Sequence, residues 1–216
     1  MANVITALQV QKKNPQRVNI FINDEFAFGL ARIVAAWLKV GQELSDAKIA
    51  ELKNQDQKEQ ALQRALNLLS YRPRSETEVR NNLKKHEIPE ETTTAVITRL
   101  RETGLLNDER FAEAWVENRA TFRPRSKLAL RIELAQKGID KTIIDDTLEN
   151  VSDEEQAYEA GQKKARQIRT TDEKTFKHKL LGFLARRGFS YEVASPVVKK
   201  LWEEKNNEED TTWKPS

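Results

Sequence analysis

The chain carries one short pattern twice, as YRPRS at residues 71–75 and as FRPRS at residues 122–126. The two copies are offset by 51 residues, and a further offset of 50 residues continues the register to the end of the chain. Self-similarity at a fixed period in this range is the signature of a repeat protein. This repeat decides the predicted fold.

Five positions are apolar in all three copies at these offsets. They are Val79, Leu130 and Leu180; Leu83, Leu134 and Leu184; Ile88, Ile139 and Phe189; Ile97, Leu148 and Val198; and Leu100, Val151 and Leu201. The spacing within a copy is helical, because Val79 and Leu83 stand four residues apart and share one helix face. We therefore predict three helices in each copy.

Capping residues and helix breakers set the predicted boundaries. The predicted helices are one that ends near residue 69, then 75–86, 90–103, 108–121, 126–137, 140–150, 153–168, 173–187 and 190–204. Residues suited to N-caps or C-terminal stops stand at these boundaries, namely Ser75, Ser126, Asp140, Gly104, Gly138 and Gly188. Short three-helix units bury little area alone, so we expect them to stack along a shared apolar seam into an elongated, curved array.

The head of the chain follows a different pattern. Apolar and polar residues partly alternate in residues 4–10 and 18–22, and a third apolar segment starts at Phe26. Turn-forming residues at 12–15 and 23–25 separate the three segments. The pattern predicts a small three-stranded meander, which needs a neighbouring helix to be stable.

A short helix over residues 31–39, ended by Gly41 as a C-cap, and a longer helix beginning at Ser45-Asp46 complete the head. The predicted fold class is mainly α, with three tandem three-helix repeats preceded by a β-meander and helix. The predicted domains are an extension (1–55), repeats one, two and three (56–107, 108–152 and 153–205) and a disordered tail (206–216).

Composition excludes several classes of protein. The 216 residues include no cysteine, which excludes disulfide scaffolds, thiol catalysis and cysteine-ligated metals. The two histidines, His86 and His178, are predicted to be surface residues. There is no Gly-rich phosphate loop, paired-histidine metal spacing or nucleophile elbow, so we expect neither an enzyme nor a cofactor. No apolar run approaches the ~18–20 residues of a membrane span, and we expect a cytoplasmic protein.

Charges are segregated along the chain. Lys and Arg number 37 and Asp and Glu number 34, so the net charge is only +3. Residues 119–131 nevertheless hold five cations and no anion, and residues 163–187 hold nine cations against two anions. The third helices of the first two copies lean acidic. Stacked repeats would align a basic stripe beside an acidic one, and a basic stripe is the footprint of an anionic partner.

Cations of these basic segments are the candidate binding residues. Arginine grips phosphates and carboxylates bidentately, and each Arg-Pro-Arg-Ser turn places two arginines just before a helix N-terminus, which favours anions. The candidates are Arg72, Arg74, Lys84, Lys85, Arg119, Arg123, Arg125, Lys127, Arg131, Lys177, Lys179, Arg186 and Arg187.

A plainer interpretation stands beside this one, because charged helix faces are usually only solvated surface. The aromatic residue before each turn, Tyr71 or Phe122, could stack on a nucleic-acid base. In that position, however, an aromatic side chain is more often part of the core, and that is our expectation.

Longer segments of the sequence resemble the bacterial RecX family over about residues 60–204. The most specific motif is GLLNDERFAEAWV at residues 104–116, and the second is FLARRGFSYE at residues 183–192. The segment ALNLLSYRPRSETEVRNNL, which contains the first Arg-Pro-Arg-Ser turn, adds to the likeness. The strand-rich head resembles an extension seen in some members.

This resemblance implies a regulator, mainly an inhibitor, of the RecA recombinase. RecX-like proteins bind the RecA–single-stranded DNA filament, limit its extension and promote its disassembly, and so modulate recombination and DNA repair. They have no catalytic residues of their own. The implied partners of this chain, expected to be a monomer, are the RecA filament and single-stranded or double-stranded DNA.

Two other functions fit the same residues. One is a stand-alone DNA-binding protein that uses tri-helical units, each superficially like a helix-turn-helix. The other is an α-helical scaffold for protein partners, in which the charges serve only solvation.

Overall fold

The computed structural model describes residues 2–212, with side chains as far as residue 207. Its elements are β1 (Asn3–Gln11), β2 (Asn14–Ile22), β3 (Glu25–Ala31), α1 (Arg32–Ala35), β4 (Glu43–Leu44), α2 (Asp46–Tyr71), α3 (Glu76–Lys85), α4 (Glu90–Glu102), α5 (Asp108–Phe122), α6 (Lys127–Gln136), α7 (Lys141–Leu148), α8 (Asp153–Ala165), α9 (Glu173–Arg186) and α10 (Tyr191–Thr212). The chain divides into two compact units between Leu106 and Asn107. None of the helices within residues 2–212 combines the length and apolarity that a membrane span requires.

The first unit opens with an antiparallel sheet of strand order β3-β2-β1-β4. The predicted meander is confirmed, with Ile5 opposite Ile22 and Val18 opposite Leu30. The sheet packs its apolar face against α2, where Leu52 is part of the same core cluster. The prediction missed β4, because a strand of two residues is too short to show an alternating pattern.

Two predictions for the head are wrong. The helix expected over 31–39 is only Arg32–Ala35, and Gly41 is not its C-cap. Gly41 has a φ of +87° and lies in the turn into β4, where its N–H donates to the carbonyl of Ile5 at 2.8 Å. Pairing with β1 draws the chain back to the sheet and ends the helix early. The predicted start of α2 is confirmed, since the Ser45 hydroxyl accepts from the N–H of Lys48 at 3.1 Å.

A buried carboxylate joins α2 to the sheet. Asp56 accepts from the Arg17 guanidinium at 3.0 Å and from the backbone N–H of Ala31 at 2.6 Å. Arg17 also donates to the carbonyl of Gly29 at 2.9 Å. A buried charge is tolerated only when it is paired and hydrogen-bonded, and Asp56 meets both conditions.

The three helical repeats form as predicted. Thirteen of the fifteen predicted core positions are buried, and the remaining two, Ile88 and Val151, are half-buried against the same clusters. Each repeat buries an apolar cluster of its own: α2 with α3 and α4, α5 with α6 and α7, and α8 with α9 and α10. In the third repeat the fully buried side chain of Phe176 is part of the apolar cluster.

The disorder predicted for residues 206–216 is wrong as far as residue 212, because α10 continues to Thr212. After Leu201, five of residues 202–209 are glutamate or lysine, which are good helix formers. Ion pairs four residues apart, Lys199 with Glu203 and Lys200 with Glu204, add support to the same turns. Residues 213–216 of the predicted tail lie outside the described residues.

The turn between α3 and α4, inside the first repeat, carries a strained backbone. Glu87 has a φ of +57°, where the other two repeats place Gly138 at +76° and Gly188 at +92°. A left-handed conformation costs a non-glycine residue roughly 1–2 kcal/mol, and glycine loses roughly 0.5–1 kcal/mol more backbone entropy on folding.

We therefore expect Glu87→Gly to raise the free energy of unfolding by about 0.5–1 kcal/mol, measured by chemical denaturation. The control is Ala95→Gly at an exposed position inside α4, which should lower it by about 1 kcal/mol. Destabilisation of similar size by both changes would show that the backbone of Glu87 is not strained.

Candidate nucleic-acid interface

Four arginines converge where the second repeat meets the third, and we call them the arginine cluster. Arg119 is on the last turn of α5, Arg123 and Arg125 are in the turn before α6, and Arg187 is the C-cap of α9. Burial lowers the pKa of Arg187, and the positive charges of Arg125, Arg123 and Arg119 lower it further. The four positive charges are therefore close enough to act on one another.

Backbone contacts hold this junction in place. The Ser126 hydroxyl caps α6 by accepting from the N–H of Ala129 at 3.2 Å, while its own N–H donates to the carbonyl of Arg187 at 3.3 Å. The Arg187 guanidinium donates to the carbonyl of Pro124 at 3.3 Å. A Cβ on Gly188 would lie only 2.6 Å from the Ser126 hydroxyl, so the two turns approach as closely as glycine allows.

A single carboxylate, Glu133 on α6, offsets part of the charge. It accepts from the Nε of Arg119 at 2.7 Å and from the indole N–H of Trp115 at 2.9 Å. Its other oxygen lies 2.9 Å from the Nε of Arg125, an ion pair without hydrogen-bond geometry. Two of the four guanidiniums thus pair with one carboxylate, and the cluster keeps a net positive charge.

The remaining two arginines differ in their surroundings. Arg187 lies 5.0 Å from the centre of the Phe183 ring, a cation–π distance that fixes the guanidinium without neutralising it. Arg123 is exposed and makes no ion pair among residues 2–207. An incoming anion would therefore meet Arg123 first.

The two arginines of the Arg-Pro-Arg-Ser turn in the first repeat have different surroundings from those of the second. Arg72 forms a two-pronged pair with Glu78, at 2.9 and 3.1 Å. Arg74 is half-buried, and its Nε has no hydrogen-bond partner within the described side chains. The second turn has Ala129 where the first has Glu78, so only the second turn leaves its outer arginine available.

Several other candidate residues already have an ion-pair or hydrogen-bond partner. Arg131 pairs with Asp145 of α7, Lys177 pairs with Glu173 at 2.5 Å, and Lys127 donates to the carbonyl of Glu149 at 3.0 Å. The acidic third helix of the second repeat thus pairs with the basic second helix. Lys84 and Lys85 lie exposed at the C-terminal end of α3, where their positive charges interact favourably with the helix dipole.

A second cationic site lies within the third repeat, in a groove of about 430 Å³. The structure brings Lys179 and Arg186 together there with Lys164, Arg169 and His178. The sequence prediction omitted Lys164 and Arg169. Their place in the strongly basic run 163–187 was the available signal.

The expectation that Tyr71 and Phe122 belong to the core is wrong. Their side chains are 84% and 71% exposed. Each is the last residue of its helix, and a proline two residues later turns the chain away, so neither ring reaches the apolar cluster of its repeat. Each exposed ring lies directly before an arginine in the sequence.

Comparison with known sequences finds four domains in order along the chain. They are the "Regulatory protein RecX N-terminal domain" at residues 3–45, and the first, second and third three-helix domains of RecX at 61–100, 107–148 and 152–198. The regulatory protein RecX of Bacillus subtilis is 37% identical over an alignment of 212 residues that covers 96% of this chain and 80% of that one. The RecX of Bacillus velezensis is 35% identical, with 94% and 80% covered.

Comparison with solved structures gives the same assignment. A crystal structure of regulatory protein RecX aligns with a TM-score of 0.70 at 30% identity and covers 91% of this chain and 98% of its own. A RecX structure from Lactobacillus salivarius aligns with a TM-score of 0.59 at 27% identity, covering 68% of this chain and 97% of its own.

Proposed function

Because these likenesses place the chain in the RecX family of regulatory proteins, we propose that it regulates RecA by binding the RecA–single-stranded DNA filament. In this proposal it limits filament extension and promotes disassembly, and so modulates recombination and repair. It acts as a cytoplasmic monomer with no catalysis of its own.

The arginine cluster is the observation that carries the proposal. Arginine side chains hold phosphates bidentately, and each phosphate neutralised releases counterions from the DNA. A phosphate at the cluster would relieve the repulsion that lowers the pKa of Arg187. Exposed Arg123 is the residue best placed to make that contact.

The direct test is the RecA ATPase on single-stranded DNA with sub-stoichiometric amounts of this protein. We expect inhibition together with shorter filaments in electron micrographs. Full ATPase activity and unchanged filament length at every ratio would refute the proposal.

Arg123→Ala is expected to weaken binding to the RecA–DNA filament by about 10- to 150-fold, since a hydrogen bond to a charged group contributes about 1.5–3 kcal/mol. The slope of log affinity against log salt should fall by about 0.7, the value of one phosphate contact on a single strand. Thermal unfolding should not change, because the side chain has no ion-pair partner within the described residues.

Arg72→Ala is the matched control, because Arg72 has the same place in the first repeat but is already paired with Glu78. It should weaken binding much less than Arg123→Ala does. Equal losses from the two variants would mean that the arginine cluster has no special role.

A stand-alone DNA-binding protein is the second candidate, favoured by a cluster that needs no RecA residue to complete it. Its test is DNA binding without RecA across a range of salt concentrations. Tight, strongly salt-dependent binding combined with no effect on the RecA ATPase would favour it. A pure protein scaffold would instead tolerate reversal of charge at Arg123.

A further inference from the structure

The first unit contains a groove where the sheet, α1, α2 and the end of α3 meet. Its volume is about 680 Å³, within the range of about 300–1,000 Å³ that is typical of small-molecule sites. One nucleotide would fit within it. Its walls come from residues 14–17, 31–33, 59–71 and 82–88.

Two guanidiniums on this groove, Arg32 and Arg64, are exposed and make no ion pair within residues 2–207. Arg17, the third arginine on the groove, is held by Asp56. Glu59 is the one carboxylate among the groove-lining side chains. It forms an ion pair with Arg99, with 3.6 Å between a carboxylate oxygen and a guanidinium nitrogen. The groove therefore offers two available cations to an anionic ligand.

Amide side chains line much of the remaining wall. Two of them already form hydrogen bonds within the protein, because the side chain of Gln60 donates to Asp56 and that of Gln63 donates to Asn67. The side-chain amides of Gln16 and Asn82 have no partner within the described residues. An amide offers both a donor and an acceptor, which is the pairing that the edge of a nucleic-acid base requires.

Tyr71 stands on the same groove with its side chain 84% exposed. Aromatic rings in this setting stack on unpaired bases, and each such contact contributes about 1–3 kcal/mol. Base faces inside a duplex are covered by their neighbours, so a stacking ring selects a single strand.

We infer that this groove binds an unpaired nucleotide of a DNA strand. Tyr71 stacks on the base, Arg32 and Arg64 contact the adjacent phosphates, and Gln16 and Asn82 face the base edge. The inference rests on the proposed function, and it assigns to the head of the chain a contact with the strand itself. An acidic peptide would account for the two guanidiniums, but it would use neither the exposed ring nor the amides.

The test measures affinity for a fluorescent 12-residue oligo-dT and for a blunt duplex of the same length. Tyr71→Ala should weaken single-strand binding about 5- to 100-fold. Its effect on duplex binding should be less than about twofold, because stacked bases offer no free face. Tyr71→Phe keeps the ring and should bind the single strand as the wild type does. Trp37→Ala is the matched control, since Trp37 is 88% exposed in the same unit but lies outside the groove.

The cations have a test of their own. The double variant Arg32→Ala/Arg64→Ala should lower the salt slope for the single strand by about 1.4, the value for two phosphate contacts. Lys12→Ala/Lys13→Ala removes the same charge from a turn outside the groove and should change the slope less. Photo-cross-linking with 5-iododeoxyuridine should place the strand on Tyr71.

Several outcomes would overturn the inference: equal effects of Tyr71→Ala and Trp37→Ala, equal losses on single strand and duplex, or cross-links only outside the groove. Displacement of the strand by polyglutamate, with no effect of Tyr71→Ala, would assign the groove to an acidic protein segment.

The RecA ATPase assay distinguishes a failure of the groove inference from a failure of the proposed function. If the wild type inhibits the RecA ATPase and the groove variants still bind the single strand normally, the groove inference is refuted and the proposed function stands. If the groove variants lose single-strand binding but the wild type does not inhibit the ATPase, the proposed function is refuted and the groove inference stands.

Discussion

Leu134→Ala is expected to lower the free energy of unfolding by about 2–5 kcal/mol in chemical denaturation. Leu134 is fully buried on α6, in the cluster that also contains Leu130 and Leu148, so truncation leaves a cavity. Ile132→Ala is the control on the same helix. Its side chain is 50% exposed, and truncation there should cost far less.

A loss below about 1 kcal/mol for Leu134→Ala would contradict both the repeat register and the packing of the second repeat. A large loss for Ile132→Ala would show that the exposed face of α6 is covered in solution. Only a clear difference between the two variants supports the separation of a buried and an exposed face on α6.

Gly188→Ala is expected to destabilise the second unit by about 1.5–4 kcal/mol, from two separate costs. The φ of +92° costs an L-residue roughly 1–2 kcal/mol, and the smaller backbone entropy loss of alanine reduces this to a net cost of about 0.5–1 kcal/mol. The new Cβ would also lie 2.6 Å from the Ser126 hydroxyl, an overpacked contact of the kind that costs typically 1–3 kcal/mol. The change should also weaken DNA binding, because it displaces Arg187 from the arginine cluster.

Gly104→Ala separates the two costs. Gly104 has a φ of +69°, and a Cβ added there would have no neighbouring atom within 4 Å, so only the backbone cost applies. We expect a net loss of about 0.5–1 kcal/mol, because alanine loses less backbone entropy on folding than glycine, and unchanged DNA binding. Equal effects at Gly104 and Gly188 would mean that the close approach of the two repeats contributes nothing.

The helical repeats could be predicted from sequence because their signals are local. Apolar positions four residues apart fix the buried face, and residues such as Ser75, Ser126 and Asp140 accept hydrogen bonds from the first turns of their helices. The start of α2 at Ser45 was found by the same reasoning. All of these features depend on neighbours within a few residues.

The features that sequence missed depend on distant partners. Nothing near β4 shows that it will pair with β1, and that pairing shortened the predicted helix after residue 31. The arginine cluster was anticipated as a basic run, but its convergence on Arg187 needs the third repeat to fold back against the turn before α6. The pairing of Arg72 with Glu78 could have been predicted, since the two residues are close in sequence and the second repeat has Ala129 at the position of Glu78.

The junction of the second and third repeats has a mechanical consequence. Each repeat keeps its own apolar core, and the contacts described between them are hydrogen bonds, such as that from Ser126 to Arg187, set among like charges. A change of angle there would break these hydrogen bonds and alter the distances between like charges, so the resistance of the junction to bending depends on the surrounding ions. A polyanion that bridged the arginines would offset their repulsion and so hold the junction at its present angle.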